Sequence, residues 1–220
     1  TVGWLQVPGT TINDVVVCNF ESNQFYHRRN FQKEYDFNGI YYADRRSTFG
    51  DGSREQLGVN TCIYGHAMTD DEENEKYNIL FAPLHDFRYE EMAKDMPYIF
   101  FSTEKENLAF EVFAVFIANT DNADIPYNRN DIEQKEFVKM VKEQVLPRSL
   151  YDYDVEIKDD DKFITLSTCI YKLPDGTPTH YPDTYYRYAI MGRLVGADEP
   201  LKEKASLTVN EDVLIEPDGK

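Results

Sequence analysis

The chain has 220 residues, enough to bury a core in one domain or at most two small ones. Hydrophobic residues make up 41% and aromatics 14%, which excludes a disordered chain and favours strands. A net charge of −17 excludes binding driven by a nucleic-acid backbone, because no cationic excess exists to displace counterions, and it opposes adhesion to an anionic membrane surface.

In chain order, residues 1–18 read as a turn-rich entry ending in a short strand at 15–17. Residues 20–35, "FESNQFYHRRNFQKEY", are polar and aromatic and read as helix or irregular chain. "GIYYADRR" (39–46) and "NTCIYGHAM" (60–68) are candidate strands separated by a Gly/Ser/Asp loop. The acidic stretch 69–78 has no apolar periodicity and reads as a solvated loop; it lacks the spaced carboxylates of an EF-hand, so no metal is expected. "YIFFST" (98–103) and "LAFEVFAVFIAN" (108–119) read as a strand pair joined by the turn "EKEN". A helix follows: Asn130 and Glu133 have capping-box spacing, Phe137, Val141 and Val145 recur at i, i+4 and i+8, and Pro147 stops it. "FITLSTC" (163–169) and "YRYAIMGRLVG" (186–196) are strands flanking a long loop, and 201–220 reads as a polar acidic tail after a single domain spanning 1–200. The balance is mainly β, with one or two helices outside a barrel or sandwich.

Chemistry centres on "ITLSTCIYKL" (164–173). Cys18, Cys62 and Cys169 are too few and too scattered for a disulfide framework or a paired-cysteine zinc site, which leaves inert thiols, one disulfide, or a nucleophile. Side chains alternate along a strand, so Ile164, Leu166 and Thr168 share one face and Phe163, Thr165, Ser167 and Cys169 the other. Cys169 thus falls on the less core-like face, at a strand end where a groove can expose it. If 163–169 and 186–196 are antiparallel neighbours, Arg187 comes beside Cys169 and Arg193 lies at the far end. A cysteine nucleophile needs a base. Of His27, His66, His85 and His180, His66 ends the strand "CIYGH", where Gly65 allows close backbone approach. His27 sits among arginines, His85 follows the helix-like "FAPLH", and His180 lies in the long loop.

The order "NTCIYGHAM", "ITLSTC", "YRYAIMGRLV" resembles the sortase pattern of a strand-end histidine, a TLxTC cysteine and a downstream strand arginine. The likeness covers nearly the whole chain, from "GWLQVPGTTINDVVV" through "GIYYADRR", and the helix before the cysteine strand is similar to that of class B members. Ala67 stands where class B sequences often carry Asn, and "LPDGTPTHYPDTY" lengthens the loop before Arg187. The resemblance implies a closed eight-stranded β-barrel with peripheral helices, one N-terminal and one before the cysteine strand. It implies a cysteine transpeptidase that cleaves a C-terminal sorting motif and passes the acyl group to an amine, with no cofactor. In that reading Cys169 is the nucleophile, His66 the general acid/base and Arg187 the oxyanion or substrate stabiliser, with Thr168, Ser167 and Asn60 as substrate-binding candidates. The implied partners are surface or pilin proteins bearing the motif, and a peptidoglycan or pilin-lysine amine. The implied place is the outer face of a Gram-positive membrane, anchored by an N-terminal segment absent from this chain. Another cysteine hydrolase, or a non-enzymatic surface domain with structural cysteines, are the competing readings.

Overall fold

The computed structural model describes residues 1–67, 79–119, 127–170 and 186–215. Eight strands close into one barrel in the order β1 (Gly3–Gln6), β2 (Asn13–Cys18), β3 (Tyr42–Ala43), β4 (Asn60–Tyr64), β8 (Phe163–Cys169), β9 (Tyr186–Leu194), β6 (Asn107–Asn119) and β5 (Tyr98–Ser102), which pairs back to β1. The expected mainly-β barrel is therefore present. Closure matters because no strand of the barrel sits at a sheet edge.

Strand alternation divides the apolar residues between two cores. Ile164 and Leu166 of β8, and Tyr188 and Ile190 of β9, fill the barrel interior with Leu5, Val16 and Ile63. Phe163, Ala189 and Met191 point outward, where Phe137, Val138, Val141 and Val145 cover them. A register shift between Val112 and Ala114 changes the parity of β6, so Val112 and Val115 both face inward while Phe113 and Phe116 face outward. Buried on both sides, β6 reads as an unbroken apolar run rather than an alternating one. At about 25 cal/mol per Å² of apolar area, this double burial is the main favourable contribution to the fold.

Three local readings are settled by the structure. The segment 20–35, read as helix or irregular chain, is irregular, so the N-terminal helix that the resemblance implies does not form there; successive turns close Ser22 onto Asn19, Phe25 onto Ser22, His27 onto Gln24 and Arg29 onto Tyr26. It has no apolar stripe to bury, and Arg29 lies over the Phe25 ring instead. Second, α2 covers Gln134–Met140, continues as a wide turn over Val141–Val145 and ends in a tight turn, Leu146–Arg148, that includes Pro147. Glu133 precedes it without a side-chain cap, and the Asn130 side chain meets Ser47 Oγ at 3.1 Å, so the capping box does not form. The i, i+4, i+8 burial of Phe137, Val141 and Val145 nevertheless holds. Third, the stretch read as a tail contains β10 (Leu207–Val209), antiparallel to β7 (Tyr151–Tyr153), with Leu207 buried. A single inward leucine and the carbonyls of Lys94, Leu150 and Pro147 anchor it. The remaining helical pieces, a 3₁₀ turn at Ala82–Arg88 and α1 (Glu90–Asp95), lie in the connection between β4 and β5.

Candidate active site

Two pairings bring distant parts of the chain to one rim. Strand β4 runs parallel to β8, with Tyr64 opposite Ser167, so Gly65 and His66 leave the barrel beside Thr168 and Cys169. Thr168 Oγ1 fastens the two exits by donating to the Gly65 carbonyl at 2.7 Å. Strand β9 runs antiparallel to β8 with Arg187 directly opposite Cys169. Arg193 is opposite Phe163 at the far end, in line with the distance argument from sequence.

His66 sits just past β4, where the chain turns. Its carbonyl accepts from the Phe81 amide at 2.8 Å, and Ala67 bridges to Leu80. Gly65 is required by contact: a Cβ there would lie 2.8 Å from Phe81 Cδ2 and 3.0 Å from Tyr41 Cδ1. The turn therefore packs backbone against aromatic rings, and His66 is displayed at the rim.

Cys169, His66, Arg187, Thr168 and Ser167 all line one cleft of about 250 Å³. Gly65, Tyr42, Tyr64, Asn23, Gln24 and His27 complete its described wall. The Ser167 hydroxyl lies 3.1 Å from Tyr127 OH, beneath the wall. Asn60 is the exception among the expected site residues. It lies four residues before Tyr64, roughly 13 Å back along an extended strand. Fully buried, it donates to the Tyr127 carbonyl at 3.0 Å and accepts from Thr165 Oγ1 at 2.9 Å, so it ties the barrel wall rather than touching the cleft.

Electrostatics distinguish the groups. Burial, then the neighbouring His27, Arg28 and Arg187, push His66 down to about 4, against a raising contribution from its hydrogen bond to the His27 carbonyl. His27 is lowered likewise, by burial and by Arg28 and Arg187. Both imidazoles are neutral at pH 7. All three cysteines are unpaired. Cys62 is fully buried and its thiol is pushed far up by desolvation, and Cys18 rises to about 11 through burial and the Asp44 carboxylate. Neither supplies a thiolate easily, and neither lines the cleft. Cys169, half-buried on the rim, is the one cysteine with a histidine and an arginine beside it.

Two contributors escaped the sequence reading. His27 joins the cleft through the folded-back segment 20–38. His85, on the 3₁₀ turn, places Nε2 3.0 Å from the Cys169 carbonyl and packs edge-on to Tyr188, bracing the strand end at Cys169. Both hang on contacts across 39 and 84 residues, which no local pattern signals. The expectations that fall on 69–78, on most of the loop 170–186 and on His180 lie outside the described residues.

A thiol, an imidazole and a guanidinium at one rim of a closed barrel form a constellation suited to acyl transfer through a covalent intermediate. No protein-family model matches the chain. It is 30% identical over 172 residues to sortase B of Listeria monocytogenes, an alignment taking in 76% of this chain and 62% of that protein. It is 25% identical over 195 residues to sortase B of Staphylococcus aureus, with 88% and 70% of the two chains covered. The solved Staphylococcus aureus sortase B–substrate complex shares the fold, with a TM-score of 0.70 at 23% identity over 90% of this chain and 80% of that one. The chain is a class B sortase-like protein. It spans 62% of the length of the Listeria relative, and no helix among its described residues is long and apolar enough to cross a membrane.

Proposed function

We propose that this chain is a cysteine transpeptidase that cuts a C-terminal sorting motif and joins the released acyl group to an amine. The observation that carries this reading is the cross-strand register of Cys169 with Arg187, with His66 delivered to the same cleft by the parallel β4–β8 pair. Likeness to sortase B, including one solved with a substrate, supports it.

Cys169 Sγ attacks the carbonyl carbon of the scissile peptide while neutral His66 accepts the thiol proton. The carbonyl π electrons move to oxygen, and the Arg187 guanidinium donates hydrogen bonds to the oxyanion. Collapse breaks the C–N bond, and the His66 imidazolium returns its proton to the leaving amine. A thioacyl-enzyme remains. An incoming amine attacks it, His66 takes the amine's proton, and the Cys169 sulfur leaves as thiolate and is reprotonated. Because burial makes the imidazolium costly, His66 carries the proton only in passing, which suits a group that must both take and return it. Thr168 holds the exit of β8 against Gly65, and Ser167 lines the floor.

The acceptor in this reading is a peptidoglycan cross-bridge amine, with a pilin lysine as the variant that would make the enzyme a polymerase. The enzyme works at the outer face of a Gram-positive membrane. Incubating the protein with a sorting-motif peptide library and excess amine should trap a thioacyl adduct on Cys169 by mass spectrometry and release amide product. Cys169→Ala should abolish the adduct. Hydrolysis alone at every amine concentration would assign a hydrolase instead, and an absent adduct with every peptide would leave a binding domain.

A further inference from the structure

A catalytic histidine needs a third group to fix which nitrogen carries its proton. Hydrolytic triads use a carboxylate or amide for this, and no carboxylate lines the cleft among the described residues. His66 Nε2 instead lies 3.0 Å from the main-chain carbonyl oxygen of His27. A carbonyl only accepts, so Nε2 is the protonated nitrogen. The His27 imidazole packs edge-on against that of His66, with centroids 4.4 Å apart and planes at 62°. Its own Nδ1 lies 3.4 Å from the Tyr42 hydroxyl, which limits its rotation. The carbonyl is held in place from behind: Gly39, at φ +65°, would set a Cβ only 2.6 Å from the His27 oxygen.

We propose that His27 is a positioning residue for the base, holding neutral His66 as its Nε2–H tautomer and leaving Nδ1 to exchange a proton with the Cys169 thiol and the amines. The inference rests on the reading of His66 as the acid/base. The groups facing the two imidazoles are Arg28 on the same segment, Arg187 from β9 and Tyr42 from β3. The two guanidiniums oppose a proton on either ring, so both rings stay neutral and the tautomer decides which nitrogen reacts. His27 thus does through its main chain and ring packing what a carboxylate does elsewhere, without adding an anion that would pair with Arg187.

The test combines nitrogen-15 histidine NMR of the intact chain with kinetics. At pH 7 His66, assigned through His66→Gln, should show a protonated Nε2 and an unprotonated Nδ1. His27→Ala should lower kcat about tenfold with KM changed less than about twofold, because a misaligned base loses rate rather than binding. It should also move the acidic limb of the pH profile upward. His27→Phe, which keeps an aromatic ring against His66, should restore most of kcat. An Nδ1–H form of His66 would overturn the tautomer assignment made through the His27 carbonyl, and a His27→Ala enzyme, which keeps that carbonyl, with wild-type kcat and pH profile would overturn the positioning role of the ring. Full turnover in His66→Ala would instead bring down the acid–base reading itself.

Discussion

The two ends of the β8–β9 ladder each set an arginine against a β8 residue, and they use it differently. At the far end Arg193 is buried, its guanidinium 2.6 Å from Glu111 and paired also with Glu199, while Lys202 reaches Glu111 at 2.7 Å. Against the cost of burial, Glu199 and Glu111 hold it charged. At the near end Arg187 faces a cleft with Cys169 and His66, beside a second histidine. The same side chain on the same strand is thus a structural tie where carboxylates surround it, and a candidate participant in chemistry where a thiol and imidazoles do. Residue type and strand position are shared; the neighbours contributed by β6 and by the β4 exit make the difference.

Exchanging the two arginines for alanine is the sharpest way to break this contrast. Arg187→Ala should cut kcat/KM by about 10²–10³-fold, the scale of a lost oxyanion donor, with an unchanged melting temperature. Arg193→Ala should do the reverse: it leaves Glu111 with Lys202 as its cationic partner and should cost about 2 kcal/mol on chemical denaturation, with normal activity per folded molecule. Equal effects at both ends would erase the distinction.

A smaller effect sharpens the near end. Gly65→Ala forces a methyl group against Phe81 and Tyr41, which should destabilise the fold by about 1–3 kcal/mol and displace His66 from the rim. Denaturation midpoints and single-turnover acylation rates would report the two consequences separately. The variant should lose acylation rate beyond what its unfolded fraction explains.

The mildest expectation concerns pH. His66 is held at about 4, below its ordinary 6.5, so on acidification the unfolded chain takes up the proton first. Its contribution to stability is fully present above pH 6.5 and is lost as pH falls toward 4. His27 and His85 are lowered as well and act in the same direction. Melting temperature should therefore fall between pH 6.5 and 4, and His66→Gln should flatten part of that slope; an unchanged slope would mean that His66 is not held neutral by the fold.

Much of this architecture is legible in one dimension. Period-two alternation in 163–169 separates Ile164 and Leu166 from Cys169, and the described cores divide along that line. The proximity of Cys169 and Arg187 follows once the two strands are taken as antiparallel neighbours, and it appears as a register pair. The i+4 spacing of Phe137, Val141 and Val145 announces a buried helical face even though the hydrogen bonding widens midway. The misses have a common cause. Asn60, a substrate-binding candidate under the resemblance, shares a strand with the turn at His66, but a strand carries its two ends to opposite rims. Leu207 reads as part of a tail because one buried leucine among charges leaves almost no periodic signal.

By itself the sequence determined the barrel strands at 60–64, 98–102, 107–119, 163–169 and 186–194, the facing of the side chains in 163–169 and the residue types available for chemistry, because these depend on local stereochemistry with a period of two or 3.6 residues. Only the tertiary structure decided that β4 and β8 run parallel, so that His66 and Cys169 leave the barrel together. It also decided that His27 and His85 reach the same pair from 39 and 84 residues away. Parallel pairing and long-range contact are selected by the closure of the whole barrel, a free energy shared among all eight strands and written in no single one of them.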